Sequence, residues 1–331
     1  MKIGIITSGG DAPGMNAVIR AVVRKAIYHG HEVFGIRRGY NGLIQGDFLP
    51  LSSRDVGNIL HWGGTILHSS RCPEFKTKEG LSAAEHHLRS YGMDSLIVVG
   101  GDGSFRGAQD LNKIGFHTIG IPGSIDNDIG CTDSSIGFDT ALNTAIDAIN
   151  KIRDTAFSHD RIYVVEVMGR NCGLLALHAG IAGGTEAILI PECPQDPQAV
   201  VQRVAEGIHQ GKSHSIIVVA EGYMGDPISG RMTQESGAFR IGQLIQQHTN
   251  KETRITILGH IQRGGSPTAL DRMIATLSGA KAVDLLMAGE TEKMIGYVDG
   301  KIQVFTMDEC IATKKKVDIA MLDLANILAS G

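Results

Sequence analysis

Two short stretches of this chain combine glycines, carboxylates and hydroxyls in an order that suits phosphate chemistry. Residues 96–104 (LIVVGGDGS) are an apolar run that ends in glycines, and residues 122–128 (PGSIDND) follow a second apolar run. Glycines at such a point let the backbone turn sharply and gather N–H groups around an anion. Each stretch therefore predicts a buried parallel strand that ends in a phosphate-binding turn.

The carboxylates of these turns suggest how a phosphoryl group could be transferred. Asp102 would repel a phosphate unless a cation lay between them, and Mg²⁺ is the usual mediator. In an extended segment, Asp126 and Asp128 point to the same face, so one could hold metal while the other takes a proton from an attacking hydroxyl. Taken singly, each turn is also compatible with a structural strand-to-helix turn or a solvated Asx turn.

A third glycine-rich turn strengthens the phosphate interpretation. Residues 8–16 (SGGDAPGMN) follow the first strand-like run and open a helix, whose N-terminal N–H groups would face a bound anion. A Walker loop is absent, and the near match at residues 207–213 (GIHQGKS) is one residue short and lies between a helix and a following strand. Three such turns at strand ends occur together by chance much less often than any one of them.

Arginines form a second layer around these turns. Arg170 and Arg263 lie beside glycines at strand ends, and Arg71 follows a Gly-Gly-Thr segment. Guanidinium groups suit phosphate oxygens, whereas a surface salt bridge is the ordinary alternative for any single arginine. Arg161 and Arg254 instead begin strands, so they lie at the opposite strand ends, where a neighbouring subunit could use them.

Strand-like and helix-like segments alternate along nearly the whole chain, which predicts an α/β fold with mostly parallel sheets. Strands are predicted at 2–7, 31–37, 95–99, 117–121, 161–167, 187–190, 215–220 and 254–259. Helices are predicted at 16–29, 82–91, 139–152, 172–182, 197–210, 236–248 and 270–288. Ligands of such sheets lie beyond the C-terminal strand ends, where the motifs fall.

Composition limits the class of protein. The chain has 331 residues, a net charge of −4 and five cysteines without C-x-x-C spacing. This charge argues against a general nucleic-acid or membrane-surface binder, and the cysteine spacing predicts free thiols and neither a zinc site nor a disulfide framework. No apolar run approaches ~20 residues, and the apolar N-terminus lacks a cleavage-site pattern, so we expect a cytoplasmic protein.

Five motifs together closely resemble the ATP-dependent 6-phosphofructokinases of the bacterial type, the phosphofructokinase A family. They are SGGDAPGMN at 8–16, GGDGS at 100–104, PGSIDND at 122–128, VEVMGR at 165–170 and LGHIQRGGSP at 258–267. The resemblance runs from about residue 2 to residue 289. It implies that MgATP phosphorylates fructose 6-phosphate at its 1-hydroxyl in glycolysis, and that the protein is a homotetramer, a dimer of dimers with shared active sites.

The resemblance also implies roles for individual residues. Catalysis would use Asp126 as the base together with Arg71, Ser124 and Arg170, and Mg²⁺ would be held by Asp102 and Asp128. ATP would be contacted by Gly10, Tyr40, Arg71, Cys72, Gly101, Asp102, Gly103 and Ser104. The sugar phosphate would be held by Ser124, Ile125, Asp126, Met168, Gly169, Arg170, Glu221, His260, Ile261, Gln262 and Arg263, with Arg161 and Arg254 supplied by the adjacent subunit. An effector, ADP or phosphoenolpyruvate, would bind Arg20, Arg24, Arg153, Gly184, Thr185, Glu186, Gln210, Lys212, Ser213 and His214.

The same resemblance predicts two three-layer α/β domains with the active site in the cleft between them. Residues 1–138 plus about 262–315 would form the ATP-binding domain. Residues 139–261 plus about 316–331 would form the fructose 6-phosphate-binding domain.

Three features depart from the family pattern. Ser124 replaces a threonine, and about a dozen residues are added between Glu221 and Arg254. The glycine- and glutamine-rich region 222–250 is itself expected to form a loop and a helix over the site. Gln210 and Ser213 stand where basic residues are common, and Trp62 stands where an arginine is frequent. Because lost positive charge weakens the binding of anions, these last replacements predict attenuated allostery.

Two alternative functions remain open from the sequence. The first is a pyrophosphate-dependent phosphofructokinase, although Gly103 and Gly123 leave room for a nucleotide where pyrophosphate-using relatives carry Asp and Lys. The second is a catalytically silent nucleotide-sensing homologue, against which the intact carboxylate set argues. A lipid or NAD kinase explains fewer of the motifs.

Overall fold

The structure, a computed structural model, describes residues 1–223 and 236–329. In chain order its strands are β1 Lys2–Ser8, β2 Glu32–Ile36, β3 Phe48–Leu51, β4 Ser95–Gly100, β5 His117–Pro122, β6 Ile162–Val167, β7 Ala187–Leu189, β8 Ser215–Ala220, β9 Thr253–Ile257, β10 Lys293–Val298 and β11 Lys301–Thr306. Its α-helices are α1 Met15–Tyr28, α2 Tyr40–Gln45, α3 Lys78–Ser90, α4 Asp102–Lys113, α5 Phe138–His159, α6 Leu174–Ala182, α7 Pro197–His209, α8 Gly237–Thr249, α9 Ala269–Met287, α10 Met307–Ala312 and α11 Ile319–Ala329. Short 3₁₀ helices span Pro73–Lys76 and Gly259–Arg263.

The chain divides into two compact units. The first unit comprises Met1–Thr140 and Arg263–Lys315, and the second comprises Ala141–Gln262 and Lys316–Gly331. Each unit contains one sheet, and most neighbouring strands in both sheets are parallel. The predicted α/β class with mostly parallel sheets is therefore confirmed.

The sheet of the first unit places the three predicted turns side by side. Its strand order is β11-β10-β5-β4-β1-β2-β3, with antiparallel pairing only where β3 and β11 join its edges. Ser8 at the end of β1 pairs with Gly100 at the end of β4, and Gly100 pairs with Pro122 at the end of β5. The glycine-rich segments after these strands consequently leave the sheet from neighbouring positions at the C-terminal ends of its strands.

The sheet of the second unit is parallel throughout, in the order β7-β8-β6-β9. Side chains of β6 alternate between its two faces: Val165 packs with helices α5, α6 and α11, while Val164 packs with α7 and α8. Helices thus cover both faces, which is why β7 and β8 are fully buried, whereas β9 at the edge of the sheet is only partly buried. At the C-terminal edge, Val167 pairs with Ala220 and Glu166 with Ile257.

Among the described residues, no helix is both long enough and apolar enough to cross a membrane.

A buried carboxylate from the first turn of α9 holds the start of α5. Asp271 is fully buried and accepts hydrogen bonds from the backbone N–H groups of Gly137 (2.9 Å) and Thr140 (2.8 Å) and from the Thr140 hydroxyl. Burial raises the pKa of Asp271 to about 6, and the hydrogen bonds from Thr140 and Gly137 oppose that rise. The carboxylate supplies acceptors for N–H groups that a helix start leaves unpaired.

This raised pKa makes stability depend on pH in a definite direction. Folded Asp271 binds its proton more tightly than the same residue in the unfolded chain. The stabilisation of the folded state that comes from this proton is therefore complete below about pH 3.8 and is lost as pH rises through about 6. In Asp271→Asn this titration is absent. We expect the free energy of unfolding of the unaltered protein, relative to the variant, to fall by about 2 kcal/mol between about pH 4.5 and about pH 7 in denaturant titrations. A difference that stays constant with pH would contradict this assignment.

Candidate active site

The turn after β4 has one position that only glycine can occupy and two glycines with empty space beside them. A Cβ on Gly100 would lie 2.5 Å from the Ser104 hydroxyl oxygen and 2.6 Å from the Ser8 carbonyl oxygen. A Cβ on Gly101 or Gly103 would meet nothing within 4 Å. Gly100 therefore permits two strand ends to approach each other, whereas Gly101 and Gly103 leave open space beside the N-terminus of α4. Such a helix start favours an anion.

Hydrogen bonds tie the three turns of the first unit together. The Ser104 hydroxyl donates to the Ser8 carbonyl (3.2 Å), and the Gly123 N–H donates to the Gly100 carbonyl (2.9 Å). A Cβ on Gly123 would lie 3.2 Å from Val99 and 3.3 Å from Met15. The open space predicted at Gly103 and Gly123 is consequently present only at Gly103, because core side chains close the position of Gly123.

Asp102 presents an exposed carboxylate at the start of α4. It accepts a hydrogen bond from Arg106 Nε at 3.0 Å, one helical turn later, and its side chain is 47% exposed. Within the described ranges no group of three or more His, Cys, Asp or Glu is placed to hold a metal. Mg²⁺ commonly uses one or two carboxylates plus substrate phosphates and water, and the carboxylates of Asp102 and Asp128 are both accessible to such an ion.

The segment carrying Asp126 and Asp128 differs from the prediction. Asn127 has φ of 53°, in the left-handed region, so the chain is a turn here and the extended geometry that would place both carboxylates on one face is wrong. Asp126 is buried, at 9% exposure, while Asp128 is exposed. The two carboxylates of this turn therefore occupy different environments. Such a difference suits two different roles, one as a base and one as a metal ligand.

Side chains that the sequence interpretation missed hold this turn in place. The Ser135 backbone N–H donates to Asn127 Oδ1 (2.9 Å), and the Ser135 hydroxyl donates to the Ser124 carbonyl (2.6 Å). Asn127 Nδ2 donates in turn to the Asp133 carbonyl (3.0 Å). The tolerance of asparagine for left-handed backbone was a signal in the Asp-Asn-Asp sequence that could have predicted this role.

Arg263 lies against the first glycine-rich turn. Its Nη1 donates to the Asp11 carbonyl at 3.0 Å, and a Cβ on Gly10 would stand 2.5 Å from the same nitrogen. Any side chain at residue 10 would displace this guanidinium. The structure thus brings together Gly10, predicted to contact nucleotide, and Arg263, predicted to hold the sugar phosphate.

Tyr40 lies in the core beneath the glycine-rich turn after β4 and contacts it through its hydroxyl. Its ring is 5% exposed and packs on Phe75 with centroids 4.1 Å apart, and its hydroxyl donates to the Ser104 carbonyl. Burial raises the pKa of this phenol well above its usual value. The ring therefore belongs to the core and positions the first turn of α4, and the contact of Tyr40 with ATP stays a prediction. Cys72 is half-buried and Arg71 is exposed.

The turns of the second unit that were predicted to hold a sugar phosphate are also close together. A Cβ on Gly222 would lie 2.1 Å from the Arg170 carbonyl oxygen, and the Arg170 N–H donates to Glu221 Oε2 at 3.1 Å. Gly169 has φ of 145°, and its Cβ would stand 2.3 Å from the Cys172 carbonyl oxygen. This tight backbone leaves the Arg170 side chain exposed.

The segment after β9 exposes some of its predicted ligands and buries another. His260 and Ile261 are exposed, the latter at 60%. Gln262 is fully buried, and its side-chain amide donates to the Gly259 carbonyl (3.1 Å). The contact of Gln262 with the sugar phosphate stays a prediction, and in this structure the side chain lies in the interior. Met168, half-buried, and Ser124 and Ile125 complete the predicted substrate set.

Arg161 and Arg254 lie at the N-terminal ends of β6 and β9, as predicted. Glu252, which the sequence interpretation did not single out, forms ion pairs with both arginines. These three residues therefore stand at the sheet edge opposite to the one from which Arg170, Glu221 and His260 emerge.

Several predicted effector residues of the second unit already bind their own chain. Arg153 donates to the carbonyl oxygens of Gly183 and Gly184, and Lys212 Nζ donates to the Ala329 carbonyl at 2.8 Å. Glu186 accepts from the Ile216 N–H (2.6 Å). A cavity of about 410 Å³ lies beside them, lined by Arg153, Asp154, Phe157, Ser158 and His214.

The remaining predicted residues have simpler placements. Arg20 and Arg24 lie on α1 of the first unit, half-buried and exposed respectively, and Gln210 is exposed at the end of α7. Ser213 contacts the His214 ring, and Thr185 is buried. Residues 224–235, which make up most of the loop expected within 222–250, lie outside the described residues, and α8 follows them.

Comparison with known proteins identifies a family for the chain. A model of the family described as phosphofructokinase matches residues 2–286. The ATP-dependent 6-phosphofructokinase of Halothermothrix orenii is 56% identical over 329 residues, covering 99% of each chain. That of Halalkalibacterium halodurans is 53% identical over 328 residues, again covering 99% of each.

Solved structures agree with this family. A phosphofructokinase from Saccharomyces cerevisiae matches 99% of this chain with a TM-score of 0.84 and 35% identity, and the present chain spans about half (48%) of that yeast chain. A pyrophosphate-dependent phosphofructokinase from Marinobacter aquaeolei matches with a TM-score of 0.82 at 22% identity, covering 100% of this chain and 92% of the other. This second likeness supports the fold alone.

Proposed function

This chain belongs to the phosphofructokinase family, and from that premise we propose that it transfers the γ-phosphoryl group of ATP to the 1-hydroxyl of fructose 6-phosphate. The product is fructose 1,6-bisphosphate, and the reaction is a step of glycolysis. The observation that carries the proposal is the register of β1, β4 and β5, which aligns three glycine-rich turns at the C-terminal ends of these strands. Relatives more than half identical over nearly the whole chain support the choice of ATP.

Asp126 is proposed as the general base. Its carboxylate is buried in a turn held by Asn127 and Ser135, so its orientation is restricted before substrate binds. As the sugar oxygen attacks the γ-phosphorus in line, the bond from that phosphorus to the bridging oxygen breaks and ADP leaves, while the hydroxyl proton passes to Asp126. Ser124, whose hydroxyl accepts from the Asp126 N–H (3.3 Å), helps to orient this turn.

Positive groups offset the charge that develops on the transferring phosphoryl group. Arg71 and Arg170 both have exposed side chains, and there is open space beside Gly101 and Gly103 at the start of α4, whose N-terminus favours an anion. Asp102 and Asp128 would hold Mg²⁺, which supplies positive charge beside the triphosphate when it is bound. Glu221 and His260 would contact the sugar phosphate.

Arg161 and Arg254 are proposed to act on a neighbouring subunit's sugar phosphate. Their position at the opposite edge of the sheet supports this assignment, because the turns that carry Arg170 and His260 leave from the other end of the same strands. A homotetramer with shared active sites follows as part of the proposal.

An assay with two phosphoryl donors tests the proposed reaction. Purified protein with Mg²⁺ and fructose 6-phosphate is expected to form fructose 1,6-bisphosphate when ATP is supplied, with little or no turnover when pyrophosphate replaces ATP. Preferential use of pyrophosphate would show that pyrophosphate, and not ATP, is the phosphoryl donor. Absence of turnover with both donors would support a catalytically silent nucleotide sensor instead.

Effector control is expected to be weak. On the second unit, Arg153 and Lys212 donate to carbonyl oxygens of their own chain, and Gln210 and Ser213 carry no charge, so this part of the effector set offers an anion less positive charge than the family pattern. We predict that phosphoenolpyruvate or ADP shifts half-saturation by fructose 6-phosphate less than about fivefold, the lower limit of common allosteric couplings. Gln210→Arg should enlarge the shift. A larger shift in the unaltered enzyme would contradict this prediction.

A further inference from the structure

Glu252 and the two arginines Arg161 and Arg254 share one face of the second unit's sheet. Ile162 of β6 pairs with Thr253 of β9, so one residue earlier on each strand Arg161 stands opposite Glu252. Arg254 is two residues beyond Glu252 and therefore projects from the same side of β9. Because neighbouring strands lie only about 4.8 Å apart, side chains at these positions reach one another, and Glu252 contacts both arginines.

Each oxygen of the Glu252 carboxylate pairs with a different guanidinium. Arg161 Nε donates to Glu252 Oε2 at 2.7 Å, and Arg254 Nη2 forms an ion pair with Oε1. The pKa of Glu252 is lowered, first by the hydrogen bond from Arg161 and also by the charges of Arg161 and Arg254. The three side chains carry two positive charges and one negative charge, so the cluster keeps a net positive charge.

The cluster contains one more arginine than an ordinary surface ion pair, which joins a single arginine to a single carboxylate. Two guanidinium groups repel each other, and a single carboxylate leaves one of their charges uncompensated. Side-chain exposure is 26% for Arg161 and 55% for Arg254, so both remain accessible to an anion from outside the chain. A phosphate monoester, with more than one negative charge and several acceptor oxygens, complements this arrangement.

We infer that Glu252 is a positioning residue for fructose 6-phosphate, one that holds Arg161 and Arg254 in a common orientation before the sugar phosphate arrives. The inference rests on the proposed function, in which these two arginines bind the sugar phosphate. Arginine side chains lose considerable rotamer freedom when they are ordered, and Glu252 imposes that order in advance. Substrate binding is thereby strengthened, whereas the phosphoryl-transfer step is unaffected.

Steady-state kinetics of Glu252→Ala tests the inference. We expect the KM for fructose 6-phosphate to rise about tenfold, because two freed arginines must be ordered by the substrate itself. The kcat and the KM for ATP should stay within about twofold of the unaltered enzyme. Glu252→Gln, which keeps a carbonyl acceptor for one guanidinium, should give a smaller rise. Measurement at about 0.15 M ionic strength limits long-range charge effects.

Glu32→Ala is the matched control. Glu32 is also an exposed strand glutamate, at the start of β2, and forms no ion pair with any residue in the described part of the chain. Its replacement should leave all three constants unchanged. Thermal unfolding midpoints of every variant separate a kinetic effect from loss of structure.

Several results would overturn the inference. An unchanged KM for fructose 6-phosphate would make the cluster an ordinary surface ion pair, and a lowered KM would make Glu252 a competitor of the phosphate. A fall in kcat that parallels a fall in the unfolding midpoint would make its role structural. Failure of the unaltered enzyme to phosphorylate fructose 6-phosphate would refute the proposed function as well, so the two failures are distinguishable.

Discussion

Asp126→Asn is expected to lower kcat about 10³-fold, within the range that loss of a general base commonly produces. Asparagine matches the size of the aspartate, and residue 126 is only 9% exposed, so the turn should persist. The amide cannot accept the proton of the sugar hydroxyl. Because this proton transfer belongs to the transition state, the KM for fructose 6-phosphate should change little.

An exposed aspartate on a nearby helix provides the control for this variant. Asp110 lies on α4 and pairs with Lys113 three residues later, so Asp110→Asn removes an equal charge without touching the proposed base. Its kcat should be unchanged. If Asp126→Asn kept more than about a tenth of the normal kcat, Asp126 would not be the general base.

Gly103→Asp should produce the second large effect, a loss of about 10²-fold in kcat/KM for ATP. A Cβ at this position meets nothing within 4 Å, so the fold should tolerate the change. The new carboxylate would enter the open space proposed for the phosphates, where like charges at partly shielded distances repel by several kcal/mol. The KM for fructose 6-phosphate should be nearly unaffected.

Gly103→Asn separates charge from size, since the asparagine and aspartate side chains have almost the same shape. The asparagine variant should lose much less activity with ATP than the aspartate variant. Equal losses in the two variants would show that crowding, and not charge, limits this position. Unfolding midpoints close to that of the unaltered protein would confirm that both variants fold.

Much of the local structure was predictable because its causes are local. An apolar run that ends in glycine predicts a buried strand and a turn, and the predicted strands at 95–99 and 117–121 correspond to β4 and β5. The placement of Arg161 and Arg254 at the strand starts followed from the same reasoning. Parallel strands then align their C-terminal ends, so the neighbourhood of the turns was predictable as well.

Side-chain direction within the turns was less predictable. The alternation of side chains in an extended chain predicts that Asp126 and Asp128 share a face, but contacts from Ser135, eight residues after Asn127, hold that segment in a turn. The ring of Tyr40 packs in the core beside Phe75, a placement that no local pattern of residues indicates. Packing partners distant in sequence determine such orientations.

The amino-acid sequence by itself determined the class of fold, the glycine-rich strand ends and the family, because these depend on short patterns of apolar, glycine and acidic residues. Only the tertiary structure decided that Gly10 must make room for Arg263, that Gln262 points inward, and that Glu252 joins two arginines. Each of these depends on which strands and turns become neighbours, and hydrogen bonds and close packing act between residues that no local pattern connects.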